Sequence, residues 1–320
     1  MRSQLHNLEL VYPPISNQEA EWLKSDLEVI ERLKQSNLYF IAQKPESKFD
    51  FANDVVQKIE DDKIIEFSYS SGDSTTFGSI NIIELLNYQN IDISDIDDFE
   101  IEIGDKLIRI WKIRKESKEI LDWFTTEKIL HDLGRSKPFI HGMNDFRKFT
   151  KYNLHYIGIS KKDDSFKRLI IKPHDKRLRI LSNEHPLSTG SRVTDEMIMF
   201  FFKIYTLEFK QILVSSDFDE IGKTELEDEI RIIADAEKAF VNVLNANYNE
   251  IKFKDYPYSK DGLFKTSVDR YAFSINDDLE FLTDDNTIYG ERQDKLGQSE
   301  SDFISINKEA NLVELVKIRK

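Results

Sequence analysis

Apolar positions recur along the chain at several different spacings, and each spacing predicts its own kind of element. Residues 17–35, "NQEAEWLKSDLEVIERLKQ", place Trp22, Leu23, Leu27, Ile30 and Leu33 at helical intervals behind a polar start at Ser16 and Asn17. That pattern predicts a surface helix with one face turned inward. From "LYFIAQ" to "IRIWKI" short β-like runs alternate with the turn-rich "SSGDSTTFGS", so an α+β domain is expected over 1–115. "ESKEILDWFTTEKILHDL", stopped by Gly134, predicts a helix or helical pair within a helical connector at 116–148. Beyond it "LHYIGIS" predicts a strand, and "DDSFKRLIIK" the start of a helix or a bent helix-like segment. After the loop "NEHPLSTGS" a buried helix is expected from Val193 to Val214, and a second from about Glu225 to Asn245 behind a Thr224/Glu227 capping box. "RYAFSI", "LEFLT", "DFISI" and "LVELVKI" predict a β-rich region at 261–320. The expected fold class is α+β, with a small central mixed sheet flanked by helices at 149–260.

One residue breaks its own pattern. On the second helix the apolar stripe is Leu226, Ile230, Ile233, Phe240 and Leu244, and the gap is filled by Glu237. At about 100° per residue, Glu237 returns to within roughly 20° of the direction of Leu226. A carboxylate on that face is costly unless a cation, a metal or a set of donors meets it. A structural salt bridge, or a stripe that rotates onto Ala236 and Val241, satisfies the same pattern.

Composition narrows the chemistry. The 320 residues contain no cysteine, which excludes disulfides, zinc–thiolate sites and cysteine nucleophiles, and leaves histidine, carboxylate and hydroxyl chemistry. No basic-then-apolar N-terminal segment marks a signal peptide, and "MIMFFFKIYTLEF" is interrupted by Lys203, so a cytoplasmic location without membrane association is expected. The formal charge of −14 argues against a general nucleic-acid binder, yet it is unevenly spread. Residues 92–105 hold seven acids and no base, a surface suited to a protein partner. Residues 161–179 hold Lys161, Lys162, Lys167, Arg168, Lys172, Lys176, Arg177 and Arg179 against three acids. Within this run Arg168 is either part of a solvated basic face or a phosphate clamp, since a guanidinium fork matches phosphate oxygens. His174 is either a surface histidine or a phosphate contact and proton relay. Gly158 inside a strand pattern signals a bend or a close backbone approach. Glu196 is a second acid able to bind a metal, but capping of the helix after Thr194 also accounts for it.

Tyr156-Ile157-Gly158, then Ser160, then Arg168 near the head of a helix, then Glu237 on a later helix and Asn249 in "NANYN" together resemble the GIY-YIG nuclease superfamily over about residues 150–260. In that superfamily a Gly-Ile-Tyr strand shortly precedes the second motif. Here "MNDFRKFTKYN" has no such triplet, Tyr152 offers a tyrosine only at another spacing, and the stretch from Arg168 to Glu237 is long. The resemblance implies metal-assisted phosphodiester hydrolysis, with nucleic acid, DNA foremost, as the partner. Glu237 would hold Mg²⁺ or Mn²⁺, and Tyr156 with His174 would orient or deprotonate water. Arg168 would stabilise charge on the phosphate, and Lys161, Lys162, Lys167, Lys172, Lys176 and Arg177 would grip the backbone. Gly158 and Asn249 would be structural. The alternative is a non-catalytic relative that binds nucleic acid or protein.

Overall fold

The computed structural model describes residues 2–115, 117–161, 164–172, 174–210, 227–293 and 297–319. It is α+β, and the chain divides into two compact units that are not sequential blocks. The first comprises Met1–Gln43, Lys151–Glu184 and Met197–Lys320; the second comprises Lys44–Thr150 and His185–Glu196.

The first unit is built on one ten-stranded mixed sheet, not the small sheet expected from sequence. Across it run Thr287–Tyr289, Glu280–Leu282, Lys151–Ile159, Leu38–Gln43, Met197–Lys210, Arg2–Leu10, Arg270–Ile275, Phe303–Asn307 and Leu312–Val316, with Ile15–Ser16 paired to the Met197 strand. Arg2–Leu10 is parallel to Arg270–Ile275, and Lys151–Ile159 to Glu280–Leu282; the other pairings are antiparallel. The C-terminal strands therefore form where alternation predicts them, but as extensions of this sheet and not as a separate region.

The long helix expected at Val193–Val214 is replaced by a four-residue helix, Val193–Glu196, and a strand, Met197–Lys210. The reason is burial on both faces. Met197 to Phe202 are all buried between the strands Leu38–Gln43 and Arg2–Leu10, and a run without polar positions carries no period that separates strand from helix. Residues 211–214 of that expected helix lie outside the described residues.

Two shorter corrections concern the N-terminal helix and the Glu237 helix. Asp26 caps a second helix, Leu27–Leu33, by accepting from the amides of Glu28 and Val29, so the single helix is split after Asn17–Leu23 and both Trp22 and Leu27 stay exposed. The Glu237 helix spans Glu229–Leu244, is capped by Asp228, and ends at Asn245 in the left-handed region. Thr224 and Leu226 lie outside the described residues. Phe240 from this helix packs on Phe40 and Phe273 in the main core.

The second unit holds a four-stranded sheet, ordered Ile140–Gly142, Ser74–Asn81, Ile64–Ser71, Ser47–Asp50, and a three-stranded meander Asp98–Ile103, Leu107–Arg114, Ser117–Thr125. The connector expected to be helical thus begins as the strand Ser117–Thr125, and only Thr126–Gly134 is α-helical. β-Branched and aromatic residues in "EILDWFT" favour the strand. In the acidic stretch, Glu100 pairs with Lys118 and Glu102 with Arg109 across the meander. Buried Lys44 pairs with Glu127 at 2.6 Å and donates to the hydroxyl of Tyr69 and the carbonyl of Phe149.

Candidate active site

The site lies on the pair of antiparallel strands Leu38–Gln43 and Lys151–Ile159 in the first unit. Their register begins Asn153 opposite Gln43 and Leu154 opposite Ala42, then skips His155, so that Tyr156 faces Ile41 and Gly158 faces Tyr39. In a strand alternate residues share a face, and one extra residue moves everything beyond it to the opposite side. Without this bulge Tyr156 would share the core face of Phe40. With it, Tyr156 and Tyr39 come to the same face, their rings 6.2 Å apart.

Gly158 makes that approach possible. A Cβ there would fall 2.6 Å from Tyr156 Cε1 and 2.7 Å from the Tyr39 hydroxyl, so any side chain would separate the two tyrosines. The strand itself is clamped from outside the sheet. Asn249 accepts from the amide of Ile157 at 3.0 Å and donates to the carbonyl of the same residue at 2.7 Å, so a buried amide side chain holds the residue between Tyr156 and Gly158 from both sides.

Tyr39 is the hub, and its hydrogen bonds fix a tautomer. His174 caps the helix Asp175–Asn183, its Nδ1 accepting from the Arg177 amide at 3.2 Å. Burial first, then the charges of Arg168 and Arg177, lower the pKa of His174 to about 4, so the ring is neutral near pH 7. With Nδ1 as acceptor the proton sits on Nε2, which donates to the Tyr39 hydroxyl at 2.9 Å. Arg168 Nε donates to the same oxygen at 3.0 Å. The phenol oxygen of Tyr39 therefore receives two N–H donors, and its own hydrogen is left to point elsewhere. Both ring nitrogens of His174 are engaged, one with the Arg177 amide and the other with Tyr39, and the ring is buried, so it is not the surface histidine that the sequence also allowed.

Glu237 reaches this cluster through its field. Burial raises its carboxyl above the usual range, while Lys238, Lys161 and Arg168 pull it down and Asp261 pushes it up. Burial, then the Glu237 charge, raises Tyr156; burial, then Tyr156, raises Tyr39, with Glu237 adding to it. Burial works against the charge on Arg168, but Tyr39, Tyr156 and Glu237 together raise its pKa. No hydrogen bond or ion pair fixes the Glu237 carboxylate among the described residues. Its neighbours are instead tied to each other: Asp261 bridges Lys238 at 2.9 Å and Lys161 at 2.8 Å, and its own carboxyl is held down at about 2, where burial opposes the two lysines and the lysines win.

The other expected residues scatter. Arg177 is turned inward, bonded to Asn17 and the Leu169 carbonyl. Lys176 and Arg179 both pair with Glu250. Lys167 belongs to the π-helix Lys167–Ile171 that carries Arg168, and Lys172 follows it. Lys162 lies outside the described residues. Tyr152, the stand-in for a first-motif tyrosine, is buried against Phe200 in the core. Glu196 is wholly buried in the second unit and accepts from the amides of Leu187 and Ser188 and the hydroxyl of Ser191, so it pins the 185–192 loop. Ile230, placed on the core stripe by periodicity, is exposed.

Sequence reasoning missed Tyr39. It stands in the run "LYFIAQ", where every residue is buried, and nothing local separates it from a core tyrosine. The available signal was indirect: a strand beginning Leu-Tyr that precedes a whole inserted unit.

Among the described residues no three His, Asp or Glu side chains converge as a metal cage. Glu237 is a single hard oxygen donor, half-buried and without a fixed partner, and such a donor suits a hard divalent cation that keeps most of its waters. No helix among the described residues is long and apolar enough to cross a membrane. No family model matches the chain, and neither does any curated protein or solved structure with which it was compared.

Proposed function

We propose that the first unit is a divalent-metal-dependent nucleic-acid phosphodiester hydrolase of the GIY-YIG type, acting on DNA. The observation that carries this reading is the gathering of Tyr39, Tyr156, Arg168 and His174 around one hydroxyl, within the field of Glu237, which has no partner among the described residues. Tyr156, Arg168 and Glu237 already carried the sequence resemblance. Tyr39 supplies the tyrosine strand that the resemblance lacked, on the neighbouring strand and not shortly upstream. Arg168 stands in a π-helix, which takes up an extra residue within one turn and is frequent at functional sites.

Each side chain has a defined task. A Mg²⁺ or Mn²⁺ held by Glu237 would offset charge on the leaving oxygen. Arg168 spends only Nε on Tyr39, which leaves its terminal nitrogens for the phosphate, and it stays charged at every relevant pH. His174 and Arg168 fix the oxygen of the fully buried Tyr39, and Tyr39 in turn orients the half-buried Tyr156, whose hydroxyl is the one suited to holding the attacking water. Lys161, through Asp261, keeps positive charge near Glu237.

One observation favours a purely binding role: several basic residues after the strand are paired with acids, which weakens a phosphate grip. The two readings separate in one assay. Purified protein is incubated with plasmid and with single-stranded DNA in Mg²⁺, Mn²⁺ or EDTA, beside Glu237→Gln and Arg168→Ala. Hydrolysis predicts metal-dependent nicking that both variants lose; DNA left intact by all three proteins sinks the hydrolase.

A further inference from the structure

Next to the site lies a groove of about 440 Å³ lined by Asn37, Ile159, Ser160, Lys161, Asp164, Lys167, Ile230 and Ile233. Its walls belong to the same elements as the site. Asn37 is two residues before Tyr39, Ser160 two after Gly158, and Lys167 adjoins Arg168. Ile233 and Ile230 stand one and two turns before Glu237 on one face of its helix. Backbone bonds hold these walls together: the Ser160 amide donates to the Asn37 carbonyl and the Ser165 amide to the Ser36 carbonyl, both at 2.9 Å.

The chemistry of the groove is divided. Ile159, Ile230 and Ile233 give an apolar side, and Ile230 is more than half exposed although it sits on a helix otherwise largely buried. Lys161, which pairs with Asp261 at 2.8 Å, and Lys167 give a side with two ammonium groups, and one oxygen of the Asp164 carboxylate accepts from the Lys167 amide at 2.7 Å. An apolar wall facing ammonium groups suits a ligand with one flat apolar face and one anionic end. The volume falls in the range of roughly 300–1,000 Å³ typical of small-ligand sites. We propose that this groove seats the single nucleotide adjacent to the scissile phosphate, its base against Ile230 and Ile233 and its phosphate toward Lys161 and Lys167. This inference rests on the hydrolase reading and adds to it where the neighbouring unit of the strand goes.

The test is fluorescence anisotropy with a labelled single-stranded oligonucleotide and its abasic counterpart, in EDTA, using the full chain carrying Glu237→Gln as the parent. Adding Ile230→Gln, an exposed position that the fold tolerates, weakens binding of the normal oligonucleotide on the order of tenfold and leaves the abasic one unchanged. Adding Lys167→Met weakens both and lowers the slope of log affinity against log salt by about 0.7. Unchanged binding in both variants overturns the proposal, and so does a poly-glutamate peptide that binds the parent more tightly than the oligonucleotide. Cleavage by the otherwise wild-type chain is read separately. Cleavage with a groove indifferent to both substitutions removes the groove alone, whereas the expected binding pattern without cleavage removes hydrolysis alone.

Discussion

Gly158→Ala isolates the geometry of the site without requiring any substrate. The glycine is not in the left-handed region, so the cost of the methyl group is steric, not conformational. Its Cβ would lie 2.6 Å from Tyr156 Cε1, 2.7 Å from the Tyr39 hydroxyl oxygen and 2.8 Å from Tyr39 Cζ, where carbon atoms normally settle at about 3.5–4.0 Å. Tyr156 is half-buried and can swing aside. Tyr39 is fully buried and held by His174 and Arg168, so its displacement strains the sheet and weakens two hydrogen bonds, one of them to a charged donor. Overpacking of this kind costs about 1–3 kcal/mol, and the weakened bonds add about 1 kcal/mol. The expected loss is therefore about 2–4 kcal/mol, read as a lower urea midpoint by circular dichroism. In a Tyr39→Phe background the 2.7 Å contact and both bonds are already gone, and the same alanine should cost about 1 kcal/mol less. An alanine variant within about 0.5 kcal/mol of wild type in both backgrounds refutes the close approach, and with it the reason for a glycine at this position.

Other expectations follow from the same contacts. Asn249→Asp loses the donor to the Ile157 carbonyl and sets a carboxylate against it; a loss of about 2–4 kcal/mol in chemical denaturation is expected, and a neutral effect would dismiss the clamp. His174 titrates at about 4 when folded, below its unfolded value of about 6.5, so the unfolded chain takes up its proton first as pH falls. Stability tied to neutral His174 is present above about pH 6.5 and drains away toward pH 4. The advantage of wild type over His174→Gln should shrink by about 2 kcal/mol across that window once solvent screening is allowed for, and parallel pH profiles would contradict the assignment. Lys44→Met strands Glu127 in the interior and should cost about 3–5 kcal/mol, while adding Glu127→Leu should recover most of it; thermal melts of the two proteins decide.

Local signals in the sequence singled out most of the residues that the candidate cluster brings together, and distant pairing supplied the rest. Tyr156, Gly158, Arg168, Glu237 and Asn249 stand in short stretches whose spacing or misfit with a periodic face drew attention to them. Glu237 drew notice as a charge on an apolar stripe, and it proved to be a half-buried carboxylate at the edge of a largely buried helix. Tyr39 could not be found in this way, because its partner strand returns only after an inserted unit and its own strand is buried on both faces. The bulge at His155 was equally silent, since a register shift is a property of two strands and not of one. The same physics misassigned 197–210: where both sides of a segment are buried, apolar content is uniform and period is lost. The roles of Glu196 and Arg177 were masked for the opposite reason. Each is a charged residue whose partners, backbone amides in one case and an asparagine and a carbonyl in the other, are invisible to any pattern of charges.

Lys44 has a kinetic consequence. The chain leaves the Tyr39 strand at Gln43 and comes back to pair with it at Asn153, so the hairpin that carries both tyrosines is closed by a folded module where a turn would normally stand. Lys44 is the first residue of that module, and by donating to the carbonyl of Phe149 it ties the module's entrance to its exit. During synthesis the Tyr39 strand emerges early and must wait, whereas once the Lys44–Thr150 part of the module has folded its two ends are delivered together and the closure entropy of a long loop has already been met. Loosening that clasp should delay the meeting of the two strands more than it harms either unit once formed, so refolding rate, followed after a denaturant jump, is where a fault at Lys44 would register first.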